Sequence, residues 1–378
     1  MHLLFLSWRD IKSKKAGGAE VFTHEMLKRL PQDQFQITHF SVKEDHLDSE
    51  EIIDGVKYIR KGGLFSVIKE AKKFYLSNKD NIDYVVDQCN THRFFTPFYV
   101  EKEKRLFFIH QLTKEIWFKH MKFPFSLVGY LTENAMLKIY KNDYSFTVSN
   151  STKNDLLDLK FKDNKVFILP EGIDFKHWDK KDFLEKEEAP TFIYVGRYAK
   201  YKGIDDSLKA FCEVKKEFKN AKFWILGKKN EEYLKNNLLP ILDQNNISYG
   251  DKGEDKDVTI FGFVSEEEKL NLMSKAHVLL FPSLREGWGL IITEAAAVGT
   301  YSIVYNSQGT RDAVDNGNAG CMCQNNTVDE IVSYMTRSLK DEEFFAQMRE
   351  QAYNFSLNFH WDNTATSFIE CMNKINNN

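Results

Sequence analysis

Short, nearly continuous apolar runs alternate along the whole chain with longer stretches whose apolar residues recur every three or four positions. The runs suit strands buried on both faces, and the longer period suits helices laid over them. The pattern therefore predicts an α/β protein of βα units around parallel sheets. HLLFLS (2–7) reads as the first strand, followed by QITHFS (36–41), YVVDQ (84–88), RLFFIH (105–110), YSFTVS (144–149) and KVFILP (165–170). A second series begins with TFIYVG (191–196) and continues through AKFWILG (221–227), VTIFGFV (258–264), HVLLFPS (277–283) and YSIVYN (301–306). Between the series, IDFKHWDKKDFLEKEEAP (173–190) is polar, without clean periodicity and closed by proline, which predicts a linker between two doubly wound halves. The stretch 228–256, rich in Asn and Lys, predicts a partly helical surface excursion.

Length agrees with two halves. A chain of 378 residues exceeds the roughly 250–300 residues at which one hydrophobic core stops growing. A net charge of −3 gives no support for nucleic acid as a partner, because strand binding shows as a strong basic excess. The cysteines Cys89, Cys212, Cys321, Cys323 and Cys371 are odd in number and scattered, which fits neither a disulfide framework nor a zinc site and points to a reducing compartment. The start MHLLFLSWRD lacks the features of a signal peptide, and no stretch approaches about 18 uncharged apolar residues. The expectation is a cytoplasmic protein of enzyme size.

Candidate chemistry gathers where strands hand over to helices. After the first strand, AGGAEVFTHEMLKRL reads as an amphipathic helix with Gly17 and Gly18 at its N-terminus, where free N–H groups and the helix dipole can face a phosphate. A plain turn is the competing reading. The second half opens alike: a strand, then Gly196, Arg197, Lys202 and Gly203, then a helix. Arg as a bidentate fork and Lys as a point charge can neutralise a diphosphate without metal; two solvated loop cations are the alternative. In REGWGLIITEA (285–295) a helix over Leu290–Val298 leaves Glu286 in the loop and Glu294 more than a turn inside. The two carboxylates then need not share a face, and each suits a pair of vicinal hydroxyls, one ribose and one sugar ring. Gly287, Trp288 and Gly289 would present backbone N–H groups between them.

Together these segments resemble the retaining nucleotide-sugar glycosyltransferases of the GT-B architecture, the family 4 group. AGGAEVF, TVSNSTKNDL, LPEGID, VGRYAKYKG, FGFV and FPSLREGWGLIITEAAAVGT carry the likeness through nearly the whole chain. The resemblance implies two Rossmann-like domains facing a deep cleft, 1–172 on the acceptor side and 189–358 on the nucleotide-sugar side. It also implies a linker at 173–188 and a C-terminal helix, about 359–378, returning to the first domain. Gly17 and Gly18 would approach the donor diphosphate or sugar. Arg197 and Lys202, beside Gly196, would stabilise the departing diphosphate; Glu294 would hold the ribose and Glu286 the donor sugar. Phe263 and Val264 would lie by the base, Gly287 to Leu290 by the phosphates, and His110 would face sugar and acceptor. Two positions depart from the family pattern: Glu171 stands where members carry Asn, and Asp312 where a glycine pair and Glu are commoner.

The implied activity is transfer of a hexose or N-acetylhexosamine from a UDP- or GDP-linked donor, with no metal or further cofactor, to a glycan or polyprenyl-linked saccharide. A nucleotide-sugar epimerase and a silent partner subunit are the competing classes; Arg197, Lys202, Glu286 and Glu294 occurring together argue against silence. Trp, Phe and Lys mix in LTKEIWFKHMKFPFSLVGYLTENAMLKIY (112–140) in a way that suits peripheral contact with the inner face of the plasma membrane. A core helix with a solvated rim is the equal alternative.

Overall fold

The computed structural model describes residues 1–90, 92–114, 117–120 and 123–377. Two compact units emerge, Met1–Gly172 with His360–Asn378, and Ile173–Phe359.

The first unit holds an eight-stranded sheet of β1 (His2–Leu6), β2 (Gln36–Ser41), β3 (Glu50–Ile53), β4 (Val56–Arg60), β5 (Tyr84–Cys89), β6 (Arg105–Ile109), β7 (Tyr144–Thr147) and β8 (Val166–Ile168), in the order β3-β4-β2-β1-β5-β6-β7-β8. Only the edge pair β3·β4 is antiparallel. The apolar pattern does not signal that hairpin, although Asp54-Gly55 at its turn is the dipeptide that such turns favour. Both strands carry charges among their apolar residues and β3 lies at the sheet edge, so they lack the continuous runs that mark buried strands. The helix Gly18–Lys28 and the C-terminal helix Trp361–Asn376 cover one face of this sheet. Phe22 meets Trp361 edge-on at 5.6 Å, and Phe368 packs on Phe5 and Phe146. Thr364 donates to the carbonyl of Pro170 at 2.7 Å, so the chain's last helix is part of the first unit's core.

The second unit holds β9 (Thr191–Val195), β10 (Lys222–Leu226), β11 (Tyr249–Asp251), β12 (Val258–Gly262), β13 (Val278–Phe281), β14 (Ser302–Tyr305) and β15 (Cys321–Cys323). All are parallel, in the order β11-β12-β10-β9-β13-β14-β15. Residues 173–188, read from the sequence as a linker, are packed within this unit. Trp178 N–H donates to Ala297 O, and Leu184 N–H to Ser274 Oγ. The ammonium of Lys186 donates to the carbonyls of Ser274 and Ala276 and the hydroxyl of Thr300. A local pattern of charges gives no hint that a lysine will be drawn in to satisfy carbonyls left at strand and helix ends. The stretch 228–256 likewise contributes to the core: it is helical through Glu231–Gln244, buries Leu238 and Leu242, and ends in the edge strand β11.

Both sheets reverse their winding once, between β1 and β5 and between β9 and β13. In open α/β sheets the loops at the carboxyl ends of such a switch diverge and leave room for a ligand.

Candidate active site

At the switch of the second unit the backbone lies bare. Gly196 N–H donates to Leu226 O at 3.0 Å, and Gly227 N–H to Gly262 O at 2.8 Å, so three adjacent strands end in glycine. Gly227 has φ +130°, and a Cβ there would sit 2.1 Å from Gly196 O. Only glycine allows that approach. Gly203, with φ +76°, closes the turn after β9 and starts the helix Ile204–Glu217; a Cβ there would lie 2.1 Å from Pro282 O. The loops after β9 and β13 are thereby pressed together.

That closeness joins Lys202 to Glu286. Nζ lies 2.5 Å from Oε1, and both side chains are only 13% exposed. The same carboxylate oxygen accepts from Ser283 Oγ at 2.7 Å, and Glu286 N–H donates to Gln308 O. Arg197 is exposed on the neighbouring loop. One of its nitrogens donates to Tyr201 Oη at 2.8 Å, its carbonyl accepts from Tyr194 Oη, and it forms no ion pair among the described residues. The site thus carries one compensated and one open cation.

The helix that follows is Leu290–Ala297, with Gly289 at its N-cap. Trp288 turns inward, donating from Nε1 to Thr293 Oγ1 at 2.9 Å and packing on Phe359. Its ring anchors the corner while Gly287 and Gly289 remain partly exposed. Glu294 pairs with Lys269, of the helix Glu266–Lys275, at 2.7 Å. Burial raises the Glu294 pKa, and Lys269 opposes that shift. The two glutamates of REGWGLIITEA therefore answer to different lysines. Motif reading overlooks Lys269 as the partner of Glu294: it follows a run of three glutamates and looks like an ordinary helix-surface charge. Of the two residues in FGFV, Phe263 is 83% exposed and Val264 packs partly against the core.

In the first unit Gly17 and Gly18 are exposed at the start of their helix. The N–H of Gly17 is not free for a ligand. It donates to Glu20 Oε2 at 2.8 Å, the returning half of a capping box. Glu20 is buried, and its other oxygen accepts from Asn90 Nδ2 at 2.9 Å and forms an ion pair with Arg9 Nε at 3.0 Å. A carboxylate already answers the helix dipole here, and Arg9 offsets its charge.

His110 follows β6, with its ring against Phe22 and Phe108 and its Nε2 3.4 Å from Gln88 Nε2. Burial pulls its pKa from 6.5 to about 3, so the imidazole is neutral at any working pH. Between about pH 6.5 and 3 the unfolded chain binds a proton here that the folded state refuses, so stability falls as pH drops through that window. The buried His39, with a pKa pulled to about 4, has the same sign. His110→Gln is expected to flatten the acid side of a plot of thermal midpoint against pH. Parallel curves for the two proteins would show that the ring is solvated.

Glu171 is 4% exposed, and its Oε2 has no hydrogen-bond partner. Burial pushes its pKa well above the carboxylate range, which favours the uncharged acid. A neutral acid is the ionisable group nearest in character to the amide found at this place in the family pattern. Asp312 lies in the short helix Thr310–Ala313.

The model of the family described as "Glycosyl transferases group 1" matches residues 176–355, wholly within the second unit. Over 355 residues the chain is 24% identical to an uncharacterized glycosyltransferase of Methanocaldococcus jannaschii, with 92% of this chain and 91% of that one covered. Its fold is similar to that of sucrose-phosphate synthase from Thermosynechococcus elongatus (TM-score 0.76, 16% identity, 99% and 98% of the two chains). It is also similar to that of Anabaena HepE, solved in complex with UDP-glucose (TM-score 0.69, 12% identity, 99% and 100% of the two chains). Two α/β units with parallel-sheet cores and this sequence match support one class of protein, a GT-B glycosyltransferase. Within that class the second unit is similar to the group 1 type.

Proposed function

We propose that the chain transfers a hexose or N-acetylhexosamine from a UDP- or GDP-linked donor to a glycan or polyprenyl-linked saccharide. The anomeric configuration is retained, no metal takes part, and the product enters cell-surface polysaccharide or glycan biosynthesis. The observation that carries this reading is Arg197 and the Lys202–Glu286 pair set at the second unit's switch point above glycine-ended strands. When the bond between sugar C1 and phosphate breaks, negative charge accumulates on the diphosphate. Fixed cations there lower the barrier more than a nucleophile would. Arg197 supplies the open charge, and the diphosphate competes with Glu286 for Lys202. A donor that takes the ammonium releases the Glu286 carboxylate for the hydroxyls of its own sugar. Glu294, oriented by Lys269, takes the ribose hydroxyls. The acceptor hydroxyl attacks C1 on the face from which the diphosphate leaves, and its proton passes to the departing diphosphate. The UDP-glucose held by HepE, a chain of the same fold, supports a nucleotide-sugar donor.

The test is a panel of UDP- and GDP-sugars incubated with the protein in EDTA, with and without saccharide acceptors. Nucleotide release stimulated by an acceptor is the expected result. An epimerised donor would assign an isomerase, and an unchanged panel a silent subunit.

A further inference from the structure

The helix Phe125–Leu137 of the first unit leaves most of its apolar residues outside. It turns Ser126 and Glu133 inward beside Leu137 and leaves Phe125, Val128 and Leu131 more than half exposed. The cause is Glu133, whose carboxylate accepts the N–H groups of Thr113 and Lys114, each at 2.7 Å, and Trp117 Nε1 at 3.2 Å. A buried carboxylate with three donors holds that face in, so the apolar face must point out. Val128, Leu131, Ala135 and Lys138 follow one another at helical spacing along the outer face. Phe123 and Phe118 extend the apolar surface beyond the helix start; Phe118 lies against Tyr130 at 5.2 Å. Glu115, Ile116, Met121 and Lys122 of the same segment lie outside the described residues.

Charge decides what covers this face. The helix's one acid points inward, while Lys138 and Lys141 beyond its C-terminus are exposed and form no ion pair among the described residues. A second copy of this face would bring the same lysines and no exposed acid of this helix to meet them. A surface with an apolar interior and negatively charged headgroups matches both features at once. No helix among the described residues is long and apolar enough to cross a membrane, so contact would be made from one side.

We propose that this face docks on an anionic lipid bilayer, with Phe125, Val128 and Leu131 at the acyl boundary and Lys138 and Lys141 among the headgroups. The docking deepens the functional reading, since a polyprenyl-linked acceptor would reside in that bilayer. Its test needs no turnover, so the two can fail separately. The full chain is sedimented with phosphatidylglycerol-containing vesicles and with pure phosphatidylcholine vesicles, at low and high salt. Binding to the anionic vesicles at low salt is expected, weakened by high salt and by neutral lipid. Lys138→Gln and Lys141→Gln should each lower it about fivefold. Val128→Asp with Leu131→Asp should abolish it, while far-UV dichroism and nucleotide release with a water-soluble acceptor stay unchanged. Absence of binding by the unsubstituted chain, or equal binding by the double aspartate variant, overturns the proposal. So does a concentration-dependent dimer in sedimentation velocity that the double variant loses, which would assign the face to a second copy.

Discussion

Replacing Lys202 or Arg197 by alanine is expected to lower turnover about 100- to 1,000-fold, the scale set by removal of one preorganised charge-stabilising donor. The two substitutions should act differently on the resting protein. Arg197 is exposed, and among the described residues its side chain hydrogen-bonds through one nitrogen to Tyr201. Its loss should leave thermal stability unchanged and fall mainly on kcat. Arg197→Lys keeps the charge but not the fork, and should recover part of the rate. Lys202 is mostly buried against Glu286, so its removal also strands a carboxylate whose desolvation is no longer compensated. Glu286→Gln in the Lys202→Ala background should therefore restore stability without restoring turnover. Steady-state kinetics and thermal midpoints of the four proteins check this. Near-normal turnover in both single alanine variants would sink the mechanism.

The largest stability effect is expected at Asp10, in the loop after β1. Its carboxylate pairs with Nε of Arg60, a residue with no exposed surface at the end of β4, and also accepts from Ser41 Oγ. Arg60 further donates to Asp48 O and to Glu51, each at 3.0 Å. Asp10→Ala leaves a buried guanidinium without its closest counter-charge, a loss of about 3–5 kcal/mol, or on the order of 10 °C in the first unit's unfolding midpoint. Adding Arg60→Met should recover most of this, because an apolar replacement of a buried pair is close to neutral. Chemical denaturation of the single and double variants makes the comparison. A single variant within about 1 kcal/mol of the parent would mean that water reaches Arg60.

Legibility in the sequence followed burial. Strands such as His2–Leu6 and Thr191–Val195 are apolar runs because helices cover both of their faces, and their positions could be read directly. The edge strands Glu50–Ile53 and Tyr249–Asp251 are short and carry no such run. The glycine turns, Arg197, Lys202, Glu286 and Glu294 were legible as positions because strand-to-helix loops can be counted along the chain. Their partners were not. Lys202 meets Glu286 across 84 residues of sequence, Glu294 meets Lys269, and Glu20 takes the N–H of Gly17. Residues 173–188 likewise looked like a linker until the acceptors for Lys186 came from strand and helix ends far along the chain.

By itself the sequence determined the two series of βα units, the glycines that leave backbone bare at their switch points and the kinds of charge placed beside them. These are properties of local spacing and of side-chain chemistry. Tertiary structure alone decided which charges compensate one another, that His110 and Glu171 sit where burial opposes their ionisation, and that one helix shows its apolar face to the outside. Each of those depends on desolvation and on partners distant in sequence, and neither can be read from the spacing of residues along a chain.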